Sequence, residues 1–142
     1  MTDSAPPPPQ IGYRSVLSMI REHARRAPGQ DCLVAIDQNT ELTWQQLYRL
    51  TNKLAAWLHA RDIGANDRVL VLTDNSLENL ILYFGIQRHG ATFCTVNVDI
   101  NAHHMREIID RLAPKIVLWH DALDLSEIRQ TALGTWVSFD TA

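Results

Sequence analysis

The second half of the chain alternates short apolar runs with segments of helical periodicity, and this alternation limits the folds that it can adopt. The apolar runs, which are typical of strands, are 68–73, 91–98, 115–120 and 135–139. The segments with apolar residues at three- and four-residue spacing, which indicate helices, are 76–89, 101–112 and 124–133. Strands that are apolar on both sides need a sheet with both faces covered. The pattern therefore predicts an α/β fold, with an open, mainly parallel sheet and helices on both faces.

The first half of the chain predicts a helix, a short hairpin and a second helix. The first helix covers 15–27, and a strand at 32–36 is followed by a return strand at 41–42. Thr43 and Gln46 have the spacing of a capping box and begin the second helix. Gly64 is expected in a left-handed turn where the chain leaves that helix.

We expect the inward positions of these elements to form one core. They are Leu47, Leu54, Leu58, Val69, Val71, Leu80, Phe84, Ile109, Val117 and Leu118. A chain of 142 residues with 46% hydrophobic and 20% charged residues is long enough to bury such a core as a single domain.

Composition also excludes several classes of function. The formal net charge is −3 and no basic run interleaves with aromatic residues, which argues against a nucleic-acid partner. No apolar run approaches the length of a membrane span, and no secretory signal is recognisable. Cys32 and Cys94 do not form a CxxC pair and are expected to be small core residues. We therefore expect a cytoplasmic protein.

The beginning of the chain differs in composition from the rest. Four consecutive prolines occupy positions 6–9, and such a run favours polyproline II and cannot join a helix or a sheet ladder. We predict a Pro-rich disordered leader at 1–10 and a single α/β domain at 11–142; a docking ligand for a proline-reading module is the alternative for the leader.

The glycine, histidine and acidic residues of this sequence do not form a recognisable catalytic or ligand-binding motif. The six glycines match neither GxGxxG nor GxxxxGK[ST]. His103 and Glu107 are one helical turn apart, but two ligands are too few for zinc, so a solvated helix face is expected. Asp121, Asp124 and Glu127 are interpreted as carboxylates at a helix start. The sequence therefore assigns no catalytic residue and no metal ligand, and cofactor-binding residues stay unknown.

Four short segments carry a resemblance to a known family. They are Leu42-Thr43-Trp44-Gln45-Gln46-Leu47, Gly64-Ala65-Asn66-Asp67-Arg68-Val69, Asn75-Ser76-Leu77-Glu78 and Gly90-Ala91-Thr92-Phe93. In order and spacing they resemble the N-terminal part of AMP-forming acyl-CoA synthetases and other adenylate-forming enzymes, the AMP-dependent synthetase and ligase family. The prolines of that pattern are missing at 94–98 and after the strand that begins at Arg68.

The resemblance implies a truncated part of a larger N-terminal adenylation domain. The parent would be an ATP-dependent carboxylic acid–CoA ligase that uses Mg²⁺, ATP and CoA; adenylation that loads a carrier-protein thiol is one alternative, and a non-catalytic standalone α/β interaction module is another. The phosphate loop and the lysine of the family have no counterpart here, so the chain alone is expected to be inactive. The expected partners are the remainder of the parent enzyme and a carboxylic acid substrate.

Two further expectations concern the residues of the four family-like segments and the self-association of the chain. Asp67, Arg68, Asn75, Ser76 and Glu78 are interpreted as caps and turn residues. Apolar surface near 115–139, which includes Trp119, Trp136 and Phe139, predicts self-association, most simply as a two-fold homodimer.

Overall fold

The structure is a computed structural model that describes residues 12–130 and 134–139. The proposed leader at 1–10 lies outside the described residues. The helices are α1 (Val16–Arg26), α2 (Trp44–His59), α3 (Leu77–His89), α4 (Ala102–Leu112) and α5 (Ser126–Arg129). The strands are β1 (Asp31–Ala35), β2 (Thr40–Thr43), β3 (Arg68–Leu72), β4 (Thr92–Thr95), β5 (Ile116–His120) and β6 (Thr135–Phe139).

Four strands form the central sheet, in the order β4-β3-β5-β6, and every pair of neighbours is parallel. β1 and β2 form a separate antiparallel hairpin between α1 and α2. The predicted fold class, an open, mainly parallel α/β sheet with helices on both faces, is confirmed.

The single core expected from the sequence is wrong, because the sheet separates two apolar clusters. Residues of β3 alternate between its faces, so Val69 and Val71 pack towards α2 and α3 while Leu70 and Leu72 pack towards α4 and α5. The α2/α3 core contains Leu58, Ile63, Val69, Val71, Ile86, Ala91, Ile116 and Leu118. The α4/α5 core contains Leu70, Leu72, Met105, Ile109, Val117, Trp119, Leu125 and Ile128.

Leu80 was expected inside, but it is 42% exposed on α3. Gly85 and Ile86 are buried on the same helix instead. Residues 80–86 of α3 are an unbroken run of aliphatic and aromatic residues and one glycine, so helical spacing alone did not identify the buried face.

Side-chain caps define the helix starts as expected. Thr43 Oγ1 accepts from the Gln46 N–H and the Gln46 side chain accepts from the Thr43 N–H, which is the capping box predicted for α2. Ser76 caps α3, and Gly90 ends that helix in the left-handed region at φ 91°. The left-handed residues after α2 are Asp62 and Asn66 rather than Gly64.

Among the described residues, no helix is long and apolar enough to cross a bilayer.

Candidate functional site

The strand order creates one topological switch point, between β3 and β5. The chain leaves β3 through α3 to β4 on one side, then crosses through α4 to β5 on the other side of β3. In open parallel sheets, ligands bind outside the carboxyl ends of strands at such a point. The candidate site is therefore the edge formed by residues 73–78 after β3 and by His120 and Asp121 at the end of β5, called here the β3/β5 edge.

On the β3 side, the start of α3 is already occupied by protein groups. Ser76 Oγ accepts from the Asn79 N–H at 3.2 Å. Gln38, from the tip of the hairpin, accepts from the Leu77 N–H at 2.9 Å and donates to Glu78 Oε2 at 3.0 Å. These contacts satisfy N–H groups that could otherwise bind an anion at this helix start.

The charge of Glu78 follows from the same contacts. Burial alone would raise the pKa of Glu78, but hydrogen bonds from Gln38, from its own backbone N–H and from Ser76 outweigh it, and the pKa is lowered. The positive form of His120 acts in the same direction. Glu78 is therefore an anion at neutral pH, beside the carboxyl end of β3.

On the β5 side, His120 is a half-buried imidazole with a defined orientation. Its Nδ1 accepts from the Ala122 N–H at 3.1 Å, so a neutral ring carries its proton on Nε2. Its ring contacts Phe139 edge to face at 5.5 Å, and the Asp121 carboxylate lies 3.7 Å from Nδ1. His120 is thus positioned by β5, by β6 and by the loop that follows β5.

These residues do not fit the triphosphate of ATP on their own. The β3/β5 edge carries the carboxylates of Asp74, Glu78 and Asp121, which repel phosphate oxygens. A backbone phosphate cradle needs left-handed glycines, and the positive-φ glycines in the part of the chain that the structure describes are Gly90 and Gly134, neither at this edge. No phosphate-transfer step can be assigned to these residues.

Asp67 and Arg68, which belong to the family-like segments, lie at the opposite edge of the sheet and bind neighbouring loops. Asp67 Oδ2 accepts from the Gly64 N–H at 2.7 Å and from Lys115 Nζ at 2.7 Å, which confirms the interpretation as a turn cap. The Arg68 side chain donates to the carbonyl groups of Leu112 and Ala113 at the end of α4. Both residues therefore join loops at the amino edge of the sheet.

The acidic residues after β5 have different positions. Asp124 Oδ1 accepts from the Ser126 hydroxyl at 2.8 Å and from its N–H at 3.3 Å, and these bonds lower the pKa of Asp124. Asp121 was interpreted as part of the same helix start, but it lies beside His120. Strand order cannot be read from a sequence, so the sequence alone could not show that Asp121 follows a strand that neighbours β3.

His103 and Glu107 lie on an exposed face of α4, with their charged atoms 3.8 Å apart. Within residues 12–130 and 134–139, no three His, Cys, Asp or Glu side chains are grouped as a metal site requires. Cys32 and Cys94 are free and half-buried, and burial raises the pKa of both thiols.

Patterns along the sequence did not identify the β3/β5 edge. A signal was present, since Thr73-Asp74 and His120-Asp121 are polar pairs at the ends of two apolar runs. Only the sheet order places these two runs side by side.

A family profile described as "AMP-binding enzyme" matches residues 20–139, which is most of the chain. The chain belongs to this AMP-binding enzyme family. The resemblance stated from the sequence is therefore confirmed, and the fold described above is the family's N-terminal α/β region.

Individual members of the AMP-binding family include enzymes of two kinds. Cyclosporin synthetase simA of Tolypocladium inflatum is 33% identical over 97 residues, which are 68% of this chain and 1% of that protein. Long-chain-fatty-acid–CoA ligase FadD13 of Mycobacterium tuberculosis is 29% identical over 101 residues, which are 71% of this chain and 20% of that protein. The chain therefore spans a small part of the relatives that it matches.

Solved structures of the family agree with the fold. A Mycobacterium tuberculosis fatty acyl CoA synthetase superposes with a TM-score of 0.79 at 25% identity, over 88% of this chain and 26% of that chain. VinN in complex with 3-methylaspartate superposes with a TM-score of 0.78 at 21% identity, over 88% of this chain and 34% of that chain.

Proposed function

We propose that this chain is part of an ATP-dependent, AMP-forming carboxylic acid–CoA ligase. In such a reaction the acid carboxylate displaces pyrophosphate from ATP, and the thiol sulfur then displaces AMP from the acyl adenylate. The observation that carries the proposal is the family match over residues 20–139. The likeness to FadD13 and to a fatty acyl CoA synthetase favours CoA as the acceptor and a fatty acid as the substrate.

The contribution of this chain is a scaffold and one polar edge. Two apolar cores hold β3 and β5 side by side, so that Glu78 and His120 lie at the carboxyl ends of the strands, where ligands of such sheets bind. ATP, Mg²⁺ and the acid would be held mainly by other parts of the enzyme, because the described residues do not cradle a triphosphate. The chain alone is therefore expected to be inactive, and a cytoplasmic location would suit these substrates.

A carrier-protein thiol is the second candidate acceptor. The 33% identity to cyclosporin synthetase, higher than the 29% to FadD13, favours it. Both candidates share the first reaction and differ in the thiol that receives the acyl group.

The test has two stages. First, the reading frame is followed beyond Ala142; a Ser/Thr/Gly-rich loop that ends in lysine is expected there. The encoded protein is then assayed for exchange of radiolabelled pyrophosphate into ATP with a panel of carboxylic acids. Acid-dependent exchange supports adenylation, and its absence with every acid contradicts it.

The acceptor is decided by a thioester assay on the same protein. Free CoA should yield acyl-CoA and AMP in equal amounts with the acid that gives the fastest exchange. Transfer to a purified carrier protein bearing a phosphopantetheine thiol, with none to free CoA, would establish the second candidate.

A further inference from the structure

The hairpin of β1 and β2 is fixed at its root, where it joins α1 and α2. The Trp44 N–H donates to the Gln30 carbonyl at 3.0 Å, and the Gln45 N–H donates to the Pro28 carbonyl at 3.2 Å. The pairing of the two strands shifts register at the start of β1. Such an irregularity bends a strand and increases its twist. The root therefore combines a backbone anchor with a bend.

The outer part of the hairpin has little packing to hold it. A cleft of about 410 Å³, open to solvent, lies between hairpin residues 33–38 and the start of α3. Val34 is 65% exposed and Ile36 is 85% exposed. Side chains with this much surface in water contribute little burial free energy. The position of the tip must then depend on specific polar contacts across the cleft.

Gln38 makes two such contacts with one side-chain amide. Its Oε1 accepts from the Leu77 N–H at 2.9 Å, and its Nε2 donates to Glu78 Oε2 at 3.0 Å. Leu77 is the first residue of α3, so its N–H has no partner within the helix. Both polar ends of the Gln38 amide therefore join the tip of the hairpin to the start of α3.

Local hydrogen bonds hold the backbone of Gln38 in place for this bridge. Asn39 adopts the left-handed region at φ 47°, and its N–H donates to the Ile36 carbonyl at 3.1 Å. The Thr40 hydroxyl donates to the Gln38 carbonyl at 3.0 Å. An exposed hydrogen bond has a small net free energy because water competes for both partners. The fixed turn offsets this weakness, since less conformational entropy is lost when the bridge forms.

We propose that the hairpin is a strap, hinged at its root and latched across the cleft by Gln38, and that the latch positions Glu78 at the β3/β5 edge. With the latch closed, Gln38 covers the Leu77 N–H and orients the Glu78 carboxylate. With the latch open, the tip moves away from α3 and both groups are left to water. Gln38 is therefore a positioning residue that acts on the edge through Glu78. This device does not depend on the proposed ligase function.

Amide hydrogen exchange of the full chain, followed by NMR, tests the latch. Gln38→Met keeps the length of the side chain and removes both hydrogen bonds. Exchange at the Leu77 N–H should become about three- to tenfold faster, which corresponds to the net contribution of one hydrogen bond. The Asn79 N–H, which Ser76 caps, should keep its rate. Gln45→Met, at an exposed position of α2, is the matched control and should change neither rate.

Two further measurements distinguish a latch from a contact that merely adds stability. Backbone relaxation in Gln38→Met should show greater motion at residues 36–40 and no change at Gln30 and Trp44. Burial raises the pKa of Glu78, and the hydrogen bond from Gln38 is the strongest of the contacts that lower it. The pKa of Glu78 in Gln38→Met, measured by carbon NMR titration, should therefore be higher than in the unmodified chain.

A double variant provides the rescue. Gln38→Glu combined with Glu78→Gln keeps the net charge and reverses the direction of the side-chain hydrogen bond. The carboxylate at position 38 can accept from the Leu77 N–H and from the amide at position 78, so slow exchange at Leu77 and a rigid tip should return. Unchanged exchange at Leu77 in Gln38→Met, equal loosening of root and tip, or no recovery in the double variant would overturn the proposal.

Discussion

Asp67 and Lys115 join two loops at the amino edge of the sheet, with Lys115 Nζ 2.7 Å from Asp67 Oδ2. Asp67 comes directly before β3 and Lys115 directly before β5, so the pair fixes the neighbouring strands at their starts. Lys115 also donates to the Asp62 carbonyl, which ties the same ammonium to the turn after α2.

We predict that this contact makes stability depend on pH. The hydrogen bond from Lys115, followed by that from the Gly64 N–H, lowers the pKa of Asp67 in the folded state. Its contribution is therefore fully present above the unfolded value of about 3.9 and is lost as the pH falls through the folded pKa. Asp67→Asn should cost stability at pH 7, and the difference from the unmodified chain should shrink in strong acid.

Urea unfolding at pH 7 and in strong acid measures the difference in stability between Asp67→Asn and the unmodified chain. Asp110→Asn, on an exposed position of α4, is the matched control and should change stability little at either pH. A penalty for Asp67→Asn that is equal at both pH values would show that the carboxylate charge is not what stabilises the junction.

The two cores predict which large-to-small substitutions are costly. Leu58→Ala in the α2/α3 core and Met105→Ala in the α4/α5 core should each lower the free energy of unfolding by about 2–5 kcal/mol, because both side chains are completely buried. Leu80→Ala should cost less than about 1 kcal/mol, because much of that side chain is in water. Denaturant unfolding of the three variants checks the assignment, and a cost at Leu80 equal to that at Leu58 would contradict it.

Gly85 allows α3 to approach α2 closely. A Cβ at this position would lie 2.5 Å from Leu54 Cδ2 and 3.2 Å from Leu54 Cβ and Cγ. Alanine gains about 1 kcal/mol in helix propensity over glycine, whereas overpacking costs about 1–3 kcal/mol. We therefore expect Gly85→Ala to be destabilising overall.

A double-mutant cycle separates these two effects. In the background of Leu54→Ala, which removes Cδ2 and Cγ and leaves only Cβ, Gly85→Ala should become neutral or stabilising. The expected coupling between the two positions is at least about 0.5 kcal/mol. Additive costs would mean that the contact with Leu54 is not the reason why Gly85→Ala is destabilising.

We predict that residues 1–142 alone release no pyrophosphate from ATP in the presence of a carboxylic acid. The described residues provide no phosphate cradle, and the family's lysine has no counterpart in this sequence. A coupled pyrophosphate assay with a panel of acids tests this expectation. Acid-dependent release of pyrophosphate by the pure chain would contradict this prediction and would be direct evidence for a catalytic site within these residues.

Self-association of the chain remains a prediction, and the structure identifies a surface for it. A largely apolar groove of about 330 Å³ runs beside β6 at the edge of the sheet and is lined by Lys53, Leu54, Trp57, Leu82, Leu118, Val137, Ser138 and Phe139. Unpaired strand edges without lysine or proline favour pairing with another chain. Sedimentation at micromolar concentration should therefore show a dimer.

Ser138→Lys provides the matched variant, since Ser138 is exposed on β6 and lines the same groove. A charge on the edge strand should shift the equilibrium to monomer without loss of the fold. An unmodified chain that sediments as a monomer would contradict the prediction of a dimer.

The sequence by itself determined the elements and the family. Continuous apolar runs such as Val69-Leu70-Val71-Leu72 identify strands buried on both faces, and Thr43 and Ser76 identify helix starts through local hydrogen bonds. These signals are local, because each depends on residues a few positions apart. The four family segments resemble their relatives for the same reason.

Only the tertiary structure decided which residues meet. Neighbours such as Val117 and Leu118 face different cores because β5 is covered on both sides, and an apolar run does not say which side each residue takes. The strand order brings His120 to the carboxyl end of the sheet beside Glu78. These relationships join residues that are tens of positions apart, and they depend on the packing of whole elements rather than on any pattern along the chain.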